Sequence, residues 1–147
     1  MQIGDLNSAG AMPALEMTMR YAAQRQRLLA HNIANVNTPN FIARDVDPKK
    51  FQSVLSDAID SRRAKTGGGY GDLNWKETSQ IGRASGDGSL RLKATSPHGG
   101  VLGHDRNAVD LERLMQDMVE NATVFRAASD LMRRQKSTLL AAITQRV

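Results

Sequence analysis

Apolar side chains recur at alternating steps of three and four residues along two segments near the ends of this chain, a spacing typical of amphipathic helices. The first segment spans about 13–35 and the second about 109–145. A helix of about 35 residues is roughly 50 Å long at 1.5 Å per residue, which exceeds the width of a compact domain of this size. We therefore predict a mainly α-helical fold in which two long helices pack side by side and also contact something beyond the chain.

The apolar stripes of these helices follow a seven-residue repeat that is more typical of coiled coils than of globular helices. Gln26 interrupts the first stripe, and Ser129 and Lys136 interrupt the last. We predict that both stripes form a coiled-coil-like layer. The first comprises Leu15, Met19, Ala22, Leu29 and Ile33, and the last comprises Leu111, Met115, Met118, Ala122, Phe125, Met132, Leu139 and Ile143. A free-standing helical hairpin, whose stripes cover only each other, is the alternative.

A shorter helix is predicted after the first long one. Asp47 is a favourable N-cap residue, and Pro48 suits the first helical turn because its missing N–H would have no partner there. We expect this helix to end near Arg62, and its apolar face consists of Phe51, Val54, Leu55, Ala58 and Ile59.

Composition divides the chain into three segments of one structural domain. Segments 1–60 and 109–147 are the helical ones, whereas 61–108 contains 10 of the 12 glycines. We predict that this middle segment is a flexible, basic and partly disordered region. A small β-hairpin is expected within it, because 90–95 alternates apolar and polar residues and 70–81 can supply a partner strand.

The chain offers little for catalysis or cofactor binding. It has no cysteine, and its histidines, His31, His98 and His104, lack the spacing of a zinc site. The glycine cluster at 67–71 is not followed by the Lys-Ser/Thr pair of a phosphate-binding loop. No apolar run is long enough to span a membrane, and the first residues lack the features of a cleaved signal peptide. We therefore predict no enzymatic activity, cofactor, metal, small-molecule substrate or membrane span.

The net charge of +5 leaves an anionic partner open. Basic side chains of the middle segment could neutralise phosphates, and they are Arg62, Arg63, Lys65, Lys76, Arg83, Arg91, Lys93 and Arg106. Only Tyr70 and Trp75 are aromatic in this region, and no recognition helix lies among the charges. A scattered, solvated basic surface is therefore favoured, and a small nucleic-acid-binding protein is the alternative from a different functional class.

A motif at the end of the first helix resembles the signature of bacterial flagellar rod and hook proteins. Residues 29–41 read L-A-H-N-I-A-N-V-N-T-P-N-F, and the family pattern is A-N-N-[IL]-A-N-x-x-T-P-G-[YF]. His31 stands where the family has Asn or Ser, and Asn40 where it has Gly. Because Asn tolerates a left-handed backbone better than other non-glycine residues, we expect the same turn to form. The resemblance implies that this turn is shaped by Asn32, Asn35, Thr38, Pro39, Asn40 and Phe41.

Two further segments are similar to proximal rod members of this family. The run F-I-A-R-D-V-D at 41–47 resembles their Y-K-A-R-D-V-D-F segment, and 107–112 with the helix that follows resembles their C-terminal helix. Hook and distal-rod proteins carry larger inserted domains, so the length of this chain also points to a proximal rod protein. Two proximal rod proteins have this length; the resemblance favours one, and its neighbour in the rod is the alternative.

The resemblance implies a structural subunit of the proximal rod in the flagellar basal body. Its terminal helices would self-assemble into a tube that transmits motor torque, with the two stripes as subunit interfaces. The implied partners are further copies of the chain, other flagellar rod proteins, the MS-ring and rod adaptor components, and the flagellar type III export apparatus. Such proteins are exported without a cleaved signal peptide and lie in the periplasmic rod.

Overall fold

The described residues form three helices and one small antiparallel hairpin. The computed structural model describes residues 9–96 and 107–144, and for 107–110 the backbone alone. The part of the predicted middle segment at 97–106 therefore lies outside the described residues. The elements in chain order are α1 (Met12–Ala34), α2 (Pro48–Thr66), β1 (Ile81–Arg83), β2 (Leu90–Leu92) and α3 (Asn107–Thr144). The prediction of a mainly α-helical fold with two long terminal helices is confirmed.

Local chemistry sets the ends of α2. The carboxylate of Asp47 accepts a hydrogen bond from the backbone N–H of Lys49 at 2.9 Å, as predicted for the N-cap residue. The predicted end near Arg62 was wrong, because the helix continues to Thr66. It ends where Gly67 adopts a left-handed φ of 68° and donates its N–H to the carbonyl of Arg63. Glycine is favoured there because it has no Cβ to clash in that conformation.

The predicted hairpin forms, but its strands are short. Ile81 pairs with Leu92, and Arg83 pairs with Leu90, in antiparallel register. The partner strand thus begins at the last residue of the predicted range 70–81. Beyond β2, Thr95 exchanges two backbone hydrogen bonds with Asp45, at 3.0 and 3.1 Å. This isolated bridge attaches the hairpin to the segment that precedes α2.

The main hydrophobic core lies between α1, α2 and the hairpin. The rings of Tyr21 and Phe51 stack at a centroid distance of 3.9 Å. Around them pack Met17, Val46, Val54, Ile81 and Leu90, all buried. Ile81 and Leu90 belong to the Gly-rich middle segment, which contributes more to the core than its composition predicts. No described residue of α3 belongs to this cluster.

The helix α3 lies antiparallel along another face of α1. The side chain of Asn121 contacts α1 at Ala22, whereas Gln135, further along α3, lies beside Gly10 just before α1 begins. Ala22 and Leu29, which both belong to the predicted stripe of α1, are fully buried. The predicted packing of the two terminal helices side by side is confirmed, and α1 is covered both by α3 and by the main core.

Candidate assembly surface

The end of α1 is tied to the following segment by the side-chain amide of Asn32. This residue is only 2% exposed. Its Nδ2 donates to the carbonyl of Arg44 at 2.7 Å, and its Oδ1 accepts the backbone N–H of Arg44 at 3.2 Å. The side-chain amide of Asn32 thus bonds to both the N–H and the carbonyl of Arg44, as the backbone of a neighbouring strand would. The chain after α1 is consequently held back against the helix.

Asn35 and Thr38 close the helix end. The Nδ2 of Asn35 donates to the carbonyl of His31 at 2.8 Å, and its backbone carbonyl accepts the N–H of Thr38 at 2.9 Å. The carbonyl of His31 thus accepts from both the side chain and the backbone N–H of Asn35. The predicted motif residues therefore act locally at the helix end, as the resemblance implies.

The motif continues as a tight turn over 38–41. The N–H of Phe41 donates to the carbonyl of Thr38 at 3.2 Å, and Asn40 between them has a φ of 61°. Proline at the second position and a positive φ at the third are typical of a type II turn. Among the described residues, Asn40 is the one non-glycine residue with positive φ. Asn40 thus has the left-handed φ that a glycine at this position would adopt without strain.

His31, the other departure from the family pattern, contacts the last residue of the turn. Its ring and that of Phe41 lie 5.5 Å apart between centroids, inclined by 52°. Tilted ring pairs at this distance are mutually attractive. The aromatic pair therefore adds a contact between the end of α1 and the turn.

A buried ion pair follows the turn. Arg25 is 5% exposed, and its guanidinium donates to both carboxylate oxygens of Asp45 at 3.1 and 2.7 Å. The carboxylate of Asp117 on α3 lies 3.9 Å from the same guanidinium. Burial alone would lower the pKa of Arg25, but the hydrogen bond and charge of Asp45 raise it above its usual value. Arg25 thus stays charged and connects α1 with the segment before α2 and with α3.

Two buried or partly buried glutamines anchor the hairpin, and the sequence pattern did not indicate them. The Nε2 of Gln24 donates to the carbonyl of Leu90 at 2.7 Å, and its Oε1 accepts the N–H of Leu92 at 3.1 Å. The Oε1 of Gln80 accepts the N–H of Asp47 at 3.1 Å. No periodic or motif signal marks these positions, because each amide pairs with backbone that is distant in the sequence.

The seam between α1 and α3 also contains the buried polar side chain of Asn121. It is 3% exposed, and its Nδ2 donates to the carbonyl of Ala22 at 2.9 Å and to the Oε1 of Gln26 at 2.7 Å. Gln26, which interrupts the predicted stripe, therefore faces the partner helix. A polar residue at such a seam position fixes the register of paired helices, because any shift leaves it without a partner.

The predicted stripe of α3 divides between this seam and the outer surface. Leu111, Met118, Ala122, Met132 and Leu139 are partly covered, as are Leu15, Met19 and Ile33 on α1. Met115, Phe125 and Ile143 are exposed. With them, the exposed large apolar residues of α3 make up what we call the outer apolar face, which at about 100° per residue extends over both flanks of the seam with α1. Its members are Met115, Val119, Val124, Phe125, Leu131, Leu140 and Ile143.

Basic residues of the middle segment have partners within the chain. Arg62 is 7% exposed and donates to the carbonyl of Gly10 at 2.7 Å. The guanidinium of Arg83 lies 4.3 Å above the ring of Trp75, and Lys93 pairs with Glu77 at 3.2 Å. These side chains are engaged in structural contacts and do not line one groove. His98, His104 and Arg106 lie outside the described residues.

Other kinds of site are not evident in the described part of the chain. Within 9–96 and 107–144, no cluster of three His, Asp or Glu residues could hold a metal ion. A wide-open groove of about 550 Å³ lies on α3, lined by Phe125, Arg126, Ser129, Asp130 and Arg133. None of the described helices combines the length and apolar character of a membrane span.

The turn motif and the paired terminal helices are features that the resemblance to flagellar rod and hook proteins implies. No family model matches the chain. Curated relatives identify the family more specifically. The flagellar basal body rod protein FlgB of Proteus mirabilis (strain HI4320) is 30% identical over 126 residues, covering 83% of this chain and 85% of the relative.

Two further relatives carry the same name. FlgB of Borrelia hermsii is 31% identical over 103 residues, covering 69% of this chain and 71% of the relative. FlgB of Bacillus subtilis (strain 168) is 26% identical over 137 residues, covering 92% of this chain and 95% of the relative. The chain belongs to the family of the flagellar basal body rod protein FlgB. The alternatives, the neighbouring proximal rod protein FlgC and a nucleic-acid-binding protein, are not favoured.

Proposed function

We propose that this protein is a self-assembling, non-catalytic subunit of the proximal rod, and that the outer apolar face of α3 is its main contact with neighbouring subunits. The supporting observation is the exposure of seven large apolar side chains along this one helix. Leu131 is 53% exposed and Val119 is 68% exposed. Covering a side chain of this kind stabilises an assembly by about 1.5–3 kcal/mol when its burial is complete.

The predicted interface residues have two roles in this proposal. Ala22 and Leu29 are already buried, so they hold α1 against the rest of the chain. Met115, Phe125 and Ile143 are exposed and would meet neighbouring subunits. The turn residues from Asn32 to Phe41 would fix where the chain leaves the helical layer. Torque would pass between subunits through the paired α1 and α3, whose seam is held by Asn121.

The proposed location is the periplasmic rod, reached through the flagellar type III export apparatus without a cleaved signal peptide. Other rod proteins and the MS-ring and rod adaptor components would be its neighbours, together with further copies of the chain. The FlgB name of the relatives supports a place in the basal body.

The test introduces a charge on the outer apolar face without disturbing the folded chain. Leu131→Asp should abolish swimming in a strain that lacks its own copy of the gene, because a buried unpaired carboxylate costs several kcal/mol at each subunit contact. The thermal midpoint of the purified variant should stay close to that of the wild type, since Leu131 is exposed.

Gln52→Asp is the matched control, because it places the same carboxylate at an exposed polar position of α2. This variant should swim normally in the same strain. Normal swimming of Leu131→Asp, with the protein present at wild-type amount, would show that no neighbour covers this face.

A further inference from the structure

Arg25 lies on α1 between the side that faces the main core and the side that faces α3. At about 100° per residue, Tyr21 of the core is roughly 40° to one side of it, and Leu29 of the seam is roughly 40° to the other. Its guanidinium donates to both carboxylate oxygens of Asp45 and lies 3.9 Å from the carboxylate of Asp117 on α3. Arg25 is therefore located at the joint between the core and α3.

The two carboxylates that share this guanidinium are close to each other. One oxygen of Asp45 is 2.7 Å, and one oxygen of Asp117 is 3.9 Å, from the same Nη2 atom of Arg25. These oxygens are therefore less than about 7 Å apart, which is shorter than the Debye length of about 8 Å at physiological ionic strength. Among the described residues, Arg25 is the one basic side chain within 4 Å of either carboxylate. A single cation thus offsets their mutual repulsion.

Asp45 has little freedom to move away from α3, because contacts within the core hold its backbone. Its N–H and carbonyl exchange hydrogen bonds with Thr95 at 3.0 and 3.1 Å. The backbone of the preceding residue, Arg44, is bound by the side-chain amide of Asn32. The position of the Asp45 carboxylate is consequently set by the turn segment and the hairpin.

Asp117 is restrained from the side of α3. Asn121, one helical turn further on, donates to the carbonyl of Ala22 and to the side chain of Gln26. If α3 slid along α1 to separate the carboxylates, both of these buried hydrogen bonds would break, which is costly. The two carboxylates can therefore separate only if α3 moves away from α1.

We propose that Arg25 is the positioning residue that allows α3 to lie against the core, because it neutralises Asp45 and Asp117 together. Without this cation, the repulsion between the two carboxylates lowers the fraction of chains in which α3 is docked. The joint couples α3 to the segment after the turn motif, although no described residue of α3 belongs to the main core. This inference concerns the single chain and goes beyond the proposed function.

Labelling of a buried thiol measures how often α3 leaves α1. The chain has no cysteine, and Ala22 is fully buried three residues before Arg25, so every variant tested carries Ala22→Cys. Arg25→Met removes the cation but keeps an apolar side chain of similar length. In the purified full chain it should raise the rate of maleimide labelling at least about tenfold over Ala22→Cys alone, because two buried carboxylates then lack a partner. An unchanged rate would overturn the inference.

Asp117→Asn should have opposite effects with and without Arg25. With Arg25 present it removes an attraction at a partly exposed site, and it should speed labelling about two- to fivefold. Combined with Arg25→Met it removes the repulsion, and it should slow labelling at least about threefold relative to Arg25→Met alone. A role of Arg25 in packing alone predicts no such reversal. Effects of the same sign in both backgrounds, or no effect in either, would contradict the proposal.

Two further variants complete the comparison. Glu120→Gln removes the same charge from an exposed position of α3, and it should leave labelling within about twofold in both backgrounds. Asp45→Asn should slow the labelling of Arg25→Met, as Asp117→Asn does. If only Asp45→Asn slows it, Arg25 acts within the core alone and the inference is wrong. This comparison holds even if Arg25→Met unfolds the chain, because it measures recovery from that variant.

Swimming separates the joint from the proposed function, since α3 carries the outer apolar face. Without the cysteine, Arg25→Met should abolish swimming, and the added Asp117→Asn should restore part of it. If labelling follows the expected pattern but Arg25→Met swims normally, the proposed function is overturned and the joint is upheld.

Discussion

At the scale of single residues, hydrogen bonds from side-chain amides hold several separate segments of this fold together. Asn32 pairs with both backbone groups of Arg44, Asn35 caps α1, and Asn121 bridges to Gln26. Side-chain amides can make these bonds because each offers both a donor and an acceptor. Asn40 contributes differently, through its tolerance of a φ of 61°. The polar residues of the motif thus set the path of the chain out of α1.

Substitution of Asn40 tests this turn. Asn40→Gly should keep both stability and swimming, since glycine adopts positive φ without strain. Asn40→Val should introduce about 1–3 kcal/mol of local strain, because a β-branched side chain clashes in this conformation. An isolated chain can relax around an exposed turn, whereas an assembled subunit cannot. We therefore expect a small fall in the thermal midpoint and a large loss of swimming for the valine variant.

Soft-agar swimming and thermal denaturation of the purified variants provide the two measurements. The glycine variant is the control for the loss of the asparagine side chain. Equal swimming of the valine and glycine variants would mean that the positive φ at position 40 has no role in the assembled protein.

At the scale of elements, α1 is the central component because it packs on two sides. Met17 and Tyr21 belong to the main core, and Ala22 and Leu29 are buried along the stripe shared with α3. Burial raises the pKa of Tyr21 well above its usual range, so its hydroxyl stays neutral and donates to the carbonyl of Val46. The helix α3, in contrast, packs on one side only. The two terminal helices therefore differ in how much of their surface the described part of the chain covers.

Removing the amide of Asn121 tests the polar contact in the seam. Asn121→Ala should lower the free energy of unfolding by about 1–3 kcal/mol, because Gln26 loses its buried partner. Thr123→Ala, at an exposed position two residues further on, should change it by no more than about 0.5 kcal/mol. Urea denaturation followed by circular dichroism measures both. Equal stability of the two variants would exclude a structural role for the amide.

The sequence predicted those features that depend on near neighbours. The N-cap at Asp47, the turn at Asn40 and the lengths of α1 and α3 follow from local chemistry or from helical periodicity. The pairing of Gln26 with Asn121, 95 residues away, could not be read from either stripe, in which Gln26 stood out as an interruption. Ile81 is an isolated apolar residue in a Gly-rich segment, so periodicity gave no sign of its burial, whereas Leu90 belongs to the alternating run that predicted a strand. The division of the α3 stripe between seam and surface likewise depends on where α1 lies.

At the scale of the whole molecule, the chain consists of a small folded core with a long helix attached along one side. The core is formed by α1, α2 and the hairpin, and α3 extends beside it with an uncovered apolar face. In the proposed function, this arrangement would separate the part that maintains the fold of the subunit from the part that contacts other subunits.

Accessibility of one residue on the outer apolar face tests the central claim most directly. A thiol introduced by Leu131→Cys can be labelled uniquely with a maleimide, because the chain has no other cysteine. As a control, maleimide labelling of denatured basal bodies should show that the thiol itself is still reactive. If neighbours cover this face, labelling in intact basal bodies should be at least about tenfold slower than in the purified monomer, since interface cores are packed as densely as protein interiors. Equal labelling rates in monomer and basal body would contradict the account.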